Sequence, residues 1–361
     1  MKTKVSALSW VCGLLILLSS CGSEPSKKSS TKAHLPQARG EANVILVVMD
    51  TTLWNGPIGE LIKDIYARDV PGLPQPEPYF KVRNVNPYAL NNILKVAKNM
   101  IFVTTLDNKS TQGQKMREYF TDESLLKIKD NPKLFMQVQK NEFANGQEIL
   151  HLFGQNSSQL IENLKGEKER LLKYFTDIEN ERFASELFKI REKGIEASLR
   201  EDHEFMIKVP YGYDLAKNLK DFVWLRLLDA EYERDIIVHY RPYQSKEPFE
   251  DVLNFREQIT SMYMRDADKP EIFMTLQGEE YQTVKEVNFK GKYAKEARGL
   301  WRLNEDFAGG PFVGYVFVDE SQKRIYYIEG YVYDPGNDKR IPMQEMEIIL
   351  NTFVSGQDLK S

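Results

Sequence analysis

Residues 312–318 (FVGYVFV) and 324–333 (RIYYIEGYVY), separated by the polar turn 319–323 (DESQK), read as a β-hairpin: two runs of β-branched and aromatic residues around a short hydrophilic loop. In the second run a period of two puts Tyr327, Tyr331 and Tyr333 on one face, with Glu329 between them. Tyr315 on the first run is expected to join that face across the hairpin. Residues 342–353 then fit a closing helix with Met346, Ile349, Leu350 and Phe353 directed inward. Upstream, residues 205–209 read as a strand, 211–213 as a turn followed by a short helix, and 222–228 with 236–240 as a second hairpin. Residues 249–263 read as a helix. This order favours an α+β fold with mostly antiparallel sheets and packed helices over a doubly wound sheet.

The earlier part of the chain is patterned differently. Residues 43–49 (NVILVVM) form an apolar run without alternation, as a strand buried on both faces does. Residues 100–106 (MIFVTTL) form a second such run, and 134–140 a third candidate strand. A helix is expected from Pro57, where a missing N–H costs nothing, with Ile58, Leu61, Ile62 and Ile65 as its apolar stripe. Residues 71–80 (PGLPQPEPYF) hold four prolines and predict an extended, pre-ordered loop. Residues 157–190 carry a helical period with a break at Gly166, one long helical segment near the middle of the chain. We expect two α+β halves, 41–195 and 196–356, either separate or packed as one unit.

The first residues have the plan of a secretory signal. Lys2 and Lys4 precede an uncharged apolar stretch, 5–18, too short to span a bilayer comfortably. It ends in Leu18, Ser19, Ser20 and Cys21, which resembles a bacterial lipobox, so residues 1–20 are read as a signal peptide and Cys21 as the lipidated residue. The rival is an ordinary signal peptide with a cysteine beside its cleavage site. Residues 22–40, rich in Ser, Lys and Pro, read as a flexible tether. Gly22 follows the cysteine where enterobacterial inner-membrane retention uses aspartate. That favours an outer-membrane lipoprotein facing either the periplasm or the surface.

Composition excludes several classes. The two cysteines are Cys12, which leaves with the signal, and Cys21, so disulfides, thiolate metal sites and cysteine nucleophiles all drop out. Loss of Lys2 and Lys4 takes the formal charge from −4 to about −6, with the two signs interspersed and no basic stripe for nucleic acid. The four histidines, His34, His151, His203 and His239, are scattered. HExxH, a P-loop, G-x-S-x-G and G-x-G-x-x-G are absent, so neither metal nor cofactor is expected.

Leu35, Pro36 and Gly40 lead into the strand at Val44, and the run 54–59 (WNGPIG) is followed by the proline-rich stretch 71–78. Together with Trp301 and the turn 309–312 (GGPF), these residues resemble a family of Bacteroidota envelope lipoproteins designated as a domain of unknown function (family 4837 of that series). The resemblance covers nearly the whole mature chain, and the proline-rich stretch is its most specific part. It implies a Gram-negative host of that phylum and transfers no catalytic residue.

Candidate sites follow from residue chemistry. Asp50 and Asp107 stand at strand ends before helices, where α/β folds place ligands, although Asp there also caps turns. Trp54, with Trp301, is a candidate pocket wall or plain core. Pro74 and Glu77 belong to a loop that is either a partner-binding edge or a rigid crossover packing Leu73 and Phe80 onto the core. His239, Arg241 and Arg226 form either an anion cluster or the wet face of a sheet. Tyr327 and Tyr331 make a platform for sugars or peptides, unless the closing helix covers them. The expected function is a non-enzymatic binding or assembly factor of the cell envelope, held to the membrane by its lipid and meeting an envelope protein, peptide or glycan. The alternative is a carboxylate-based enzyme acting on cell-wall or polysaccharide material, with Asp50 or Asp107 in its site. Fractionation checks the anchor. Cys21→Ala is expected to leave the membrane fraction for the soluble one and to lack the lipid mass; membrane recovery equal to wild type would rule the lipid out.

Overall fold

A computed structural model describes residues 35–359. The expectations for residues 1–20, for Cys21 and for the tether up to residue 34 lie outside the described residues. The last tether residues are docked onto the body, not slack: Ala38 N–H donates to Asn145 O at 2.9 Å and Arg39 N–H to Val96 O at 2.8 Å.

The first half contains β1 (Val44–Val48), α1 (Thr51–Trp54), α2 (Pro57–Tyr66), β2 (Lys81–Val85), β3 (Asn99–Thr105), α3 (Thr111–Arg117), α4 (Asp122–Asp130), β4 (Met136–Lys140), β5 (Glu148–Gly154), α5 (Ser157–Gly166) and α6 (Lys168–Leu187). Its sheet has the order β2-β1-β3-β5-β4, parallel except for β4. On one face Ile45, Val47, Ile101 and Leu150 meet Ile58, Ile62, Leu160 and Phe175 from the helices. On the other, Leu46, Val48, Met100 and Phe102 lie under Leu90 and Met116. Burial on both faces explains the unalternating runs of β1 and β3. This half departs from the expected antiparallel pairing because β2 and β5, absent from the sequence reading, complete crossovers. The central helical segment is interrupted at Gly166, where the sequence places a break: α5 ends there, and α6 runs from Lys168 to Leu187.

The second half contains α7 (Lys193–His203), β6 (Phe205–Met206), β7 (Asp214–Leu219), β8 (Phe222–Leu228), β9 (Glu233–Pro242), α8 (Glu247–Glu250), α9 (Val252–Tyr263), β10 (Met274–Leu276), β11 (Thr283–Phe289), β12 (Lys292–Leu303), β13 (Gly309–Asp319), β14 (Arg324–Tyr333), α10 (Arg340–Leu350) and β15 (Val354–Ser355). The large sheet runs β10-β12-β13-β14-β9-β8-β7, with β11 beside β12, and its pairings are antiparallel. The fold class is α+β, with antiparallel pairings in the majority. Residues 214–219, expected as a short helix, are a strand that pairs with β8 across an irregularity between Leu215 and Lys217.

Register decides which side chains share a face. Tyr315 stands opposite Ile328, so it lies with Tyr326 and Val332 under Met343, Met346 and Ile349 of α10, away from Tyr327. Gly330 lets α10 approach on that side, because an added Cβ would sit 2.7 Å from Met346 Cβ. Tyr327 and Tyr331 face the other way, against Val252, Phe255 and Ile259 of α9. There Arg256, fully buried, forms a two-pronged ion pair with Glu329, both bonds 2.8 Å. Tyr327 donates its hydroxyl to the same carboxylate. Removing one partner of such a pair leaves a buried charge uncompensated, which costs about 3–5 kcal/mol.

α10 also joins the halves. Its first free amides, Lys339 N–H and Arg340 N–H, donate to the two oxygens of Glu77 at 2.7 and 2.8 Å. Its Gln344 accepts from Asn43 Nδ2 at 2.8 Å and donates to Asn180 at 2.7 Å. Behind these, Glu179 accepts from Asn43 N–H and Asn99 Nδ2, both at 2.9 Å, and pairs with Arg182 at 2.6 Å. A helix enclosed on two sides needs such partners for each buried polar group.

The buried tyrosine face gives a stability expectation. Tyr331 is 3 % exposed, so Tyr331→Ala empties a large aromatic from the core and is expected to cost about 3–5 kcal/mol in urea denaturation. A loss well under 1 kcal/mol would mean an exposed face.

Candidate functional site

A large open cleft, about 1160 Å³, lies at one end of the antiparallel sheet, among β13, the β11–β12 turn, α8 and residues 357–358. Local backbone chemistry shapes each wall. The β11–β12 connection is a two-residue turn with both central residues at positive φ, Lys290 at 55° and Gly291 at 85°, as a type I′ hairpin requires. It presents Lys292 and Tyr293 to the cleft. The opposite wall is Tyr243, Lys246 and Phe249, held where Tyr243 N–H donates to Lys323 O at 2.9 Å. Tyr293 is 56 % exposed and Tyr243 37 %. The rings of Phe249 and Tyr293 lie 5.7 Å apart, and Tyr293 donates its hydroxyl to Glu286 at 3.0 Å.

The floor is Asp319, which accepts from the hydroxyls of Ser321 and Ser355, both at 2.6 Å, and from Gln322 N–H at 3.1 Å. Gly356 closes over it at φ 58°, where an added Cβ would come within 2.7 Å of the carboxylate. Burial pushes the Asp319 carboxyl up, but these donors outweigh it and hold it below the usual range. It is a fixed anion, opposite to what a general acid needs. Lys292 pairs with Asp358 at 2.7 Å, while Lys246, Lys295 and Lys323 also line the cleft. Glu250, Glu320 and Asp358 line it beside these lysines, so the aromatic faces are flanked by both signs of charge and suit planar, sugar-like or peptide surfaces. Among the described residues no group of three or more His, Cys, Asp or Glu is placed to hold a metal ion.

The residues singled out in the sequence lie elsewhere and are not brought together. Asp50 caps α1, accepting from Thr52 N–H at 2.7 Å, Leu53 N–H at 3.2 Å and the Ser110 hydroxyl. Burial raises its carboxyl, and these bonds with that of Asn108 bring it below the ordinary value. It latches the loops after β1 and β3. Asp107 is exposed. Trp54 is half-buried, with Lys63 Nζ 4.5 Å from its ring centroid. In the proline-rich crossover Pro74 is exposed, Glu77 is engaged at α10, and Leu73 and Phe80 pack into the two cores. Tyr327 and Tyr331 are no surface platform, because α9 covers them; the closing helix sits on the opposite face. Trp301 is core as well, 5.3 Å from the Tyr331 ring. The histidine cluster does not form either. His239 stands opposite Phe222, Arg226 opposite Asp235, and Arg241 stacks on Phe255. His239 lies under Phe255 and Tyr263, and burial lowers its pKa.

Outside the cleft, the protonation of His151 and of Asp235 is strongly displaced. Burial pulls His151 down to about 4, stacked on Phe102. Burial pushes Asp235 up to about 8, although the Trp224 indole donates to it at 2.7 Å. Asp235 is fully enclosed between strands, so it cannot reach a ligand.

Residues 192–352 match the family described as "Domain of unknown function (DUF4837)", and residues 38–188 match "Domain of unknown function (DUF8532)". The resemblance stated from the sequence therefore narrows to the second half. The proline-rich stretch, its most specific part, falls within the other family's span. No curated protein matches the chain. Solved structures similar to this chain include a point mutant of the protein Mog1, at 11% identity and a TM-score of 0.29, covering 44% of this chain and 94% of that one, and the Saccharomyces cerevisiae Ran-binding protein Mog1p, at 11% identity and a TM-score of 0.29, covering 43% and 93%.

The raised carboxyl of Asp235 makes stability pH-dependent. A pKa above the unfolded value contributes stability that is complete below about pH 4 and is lost as the pH rises through about 8. Asp235→Asn keeps an acceptor for Trp224 and removes that loss. Urea denaturation is expected to show its advantage over wild type absent near pH 4 and growing steadily as the pH rises toward 8. A difference that stays constant with pH would contradict the assignment.

Proposed function

We propose that this chain is an exported lipoprotein of the outer membrane of a Bacteroidota cell, and that its folded body is a non-enzymatic binding or assembly factor. The lipobox at Cys21 and the polar tether supply the anchor. Among the described residues no helix is long and apolar enough to cross a membrane, in keeping with attachment through a lipid. The observation that carries the binding reading is the cleft walled by Tyr243, Phe249 and Tyr293 and edged by lysines. Its aromatic rings offer stacking area while its lysines and serines offer charge and hydrogen bonds, the composition of a site for an envelope peptide or glycan.

The enzymatic alternative has less support. A carboxylate hydrolase needs one carboxyl raised to act as acid and a second held ionised. In the cleft Asp319 is held down by its donors, and Asp235, which is raised, is sealed in the sheet. Asp50 is enclosed by hydrogen bonds at a helix start.

The test is native purification of the tagged lipoprotein beside Tyr243→Ala/Tyr293→Ala. Both side chains are exposed, so stability is expected to stay within about 0.5 kcal/mol of wild type. The material that co-purifies with wild type is expected to fall by about tenfold or more, as loss of two aromatic contacts implies. Undiminished recovery by the folded double variant would show that the cleft is not the binding site.

A further inference from the structure

The chain enters the folded body beside an apolar groove of about 560 Å³ in the first half. Its floor is Val44 and Leu46 of β1 with Leu94, Val96 and Ala97, and Ile93 stands on its lip at 81 % exposure. The entering residues are bound to the same segment: Arg39 N–H donates to Val96 O, and Lys98 N–H donates to Arg39 O at 3.2 Å. Parallel pairing sets Lys81 opposite Val44 and Arg83 opposite Leu46, so two exposed cations follow the groove along β2. Arg39 and Lys98 add two more, and the acid at the rim, Glu41, is 3.5 Å from Arg83.

Most soluble surfaces hide a large aliphatic side chain or surround it with mixed charge. Here one stands nearly free on the lip of a groove lined by Arg39, Arg83 and Lys98 against the single acid Glu41, on a chain whose net formal charge is −4. The segment leading to it, residues 22–34, adds Lys27, Lys28 and Lys32 against Glu24. The end that carries the anchor is thus basic while the whole chain is acidic.

We propose that this face is a membrane-contact surface, with Ile93 entering the interfacial layer and Arg39, Lys81, Arg83 and Lys98 meeting the phosphates of anionic phospholipid. The inference rests on the lipid-anchored reading above. Fourteen residues of sequence separate Cys21 from Pro36, which itself lines the groove. On that reading, the chain from the anchor joins the body at this face. A basic patch held near an anionic membrane adds electrostatic attraction to that of the lipid anchor, and here the patch lies on the folded body. The contact orients the body on the membrane surface.

Vesicle sedimentation of the unacylated mature chain, Cys21→Ser, isolates this surface from the anchor. Vesicles containing phosphatidylglycerol are expected to retain the protein, and phosphatidylcholine vesicles to retain much less. Added salt should weaken the retention, since the cations are exposed. Ile93→Glu, and separately Arg83→Glu/Lys98→Glu, are expected to lower retention by about tenfold. Lys246→Glu/Lys323→Glu, in the cleft, keeps the same overall charge change and should have little effect. Equal retention on neutral and anionic vesicles, or an unchanged Ile93→Glu, overturns the membrane face while leaving the anchor standing. Failure of acylation in cells would instead remove the anchor and leave the vesicle result as measured.

Discussion

The carboxylate of Glu77 meets the N-terminus of α10, and the arrangement of both halves follows from that contact. The two bonded amides lie 262 and 263 residues further along the chain. A helix start has unsatisfied N–H groups and a partial positive charge, and an acid there typically stabilises it by about 1 kcal/mol. Here the acid comes from the opposite half, on a loop stiffened by prolines. Gly72 of the same loop lies where an added Cβ would be 3.0 Å from Arg298, so the crossover is laid directly on β12. Arg298 in turn reaches Glu347 of α10 at 2.6 Å. The closing helix is therefore a wall shared by two sheets, with Met346 and Ile349 toward one and Gln344 toward the other.

That sharing explains why polar residues are buried along α10. Gln344, Glu345 and Arg340 are nearly inaccessible. Each is turned to a partner: Gln344 to Asn43 and Asn180, Glu345 to Arg234, and Arg340 over the Tyr79 ring at 5.5 Å. The family matches divide between residues 188 and 192, while contacts group residues 36–361 as one compact unit. Sequence families and physical packing thus partition the chain differently. The cleft belongs to the second sheet and the basic groove to the first, so one body presents both surfaces in fixed relation.

Much of the fold was legible where one kind of burial dominated. The runs at 43–49 and 100–106 had no alternation because both faces are covered, and α2 showed its stripe because only one face is. The hairpin of β13 and β14 was readable from its aromatic and β-branched residues. Pairing partners were not. β2 (KVRNV) and β11 (TVKEVNF) are edge strands with mostly polar residues, and β12 encloses a Glu296–Arg298 ion pair, so none of the three reads as core. The period of Tyr327 and Tyr331 was correct, yet no local feature says which helix covers that face. Arg256, buried in α9, reads in sequence like any surface arginine. The cleft was missed because its aromatics sit singly among lysines, Tyr243 and Tyr293 at strand ends and Phe249 in a one-turn helix, where hydrophobic periodicity has nothing to detect.

The central claim is that α10 and Glu77 make the two halves one cooperative structure. Tryptophan fluorescence can watch each half separately: Trp54 reports the first, and Trp224 and Trp301 the second. Urea unfolding of a chain with Trp54→Phe, and of one with Trp224→Phe/Trp301→Phe, should be compared before and after adding Glu77→Ala. The account predicts that Glu77→Ala lowers the midpoint in both backgrounds together, each remaining a single transition. A shift confined to the second-half reporter, with the Trp54 signal unmoved, would contradict it and leave two domains that merely touch.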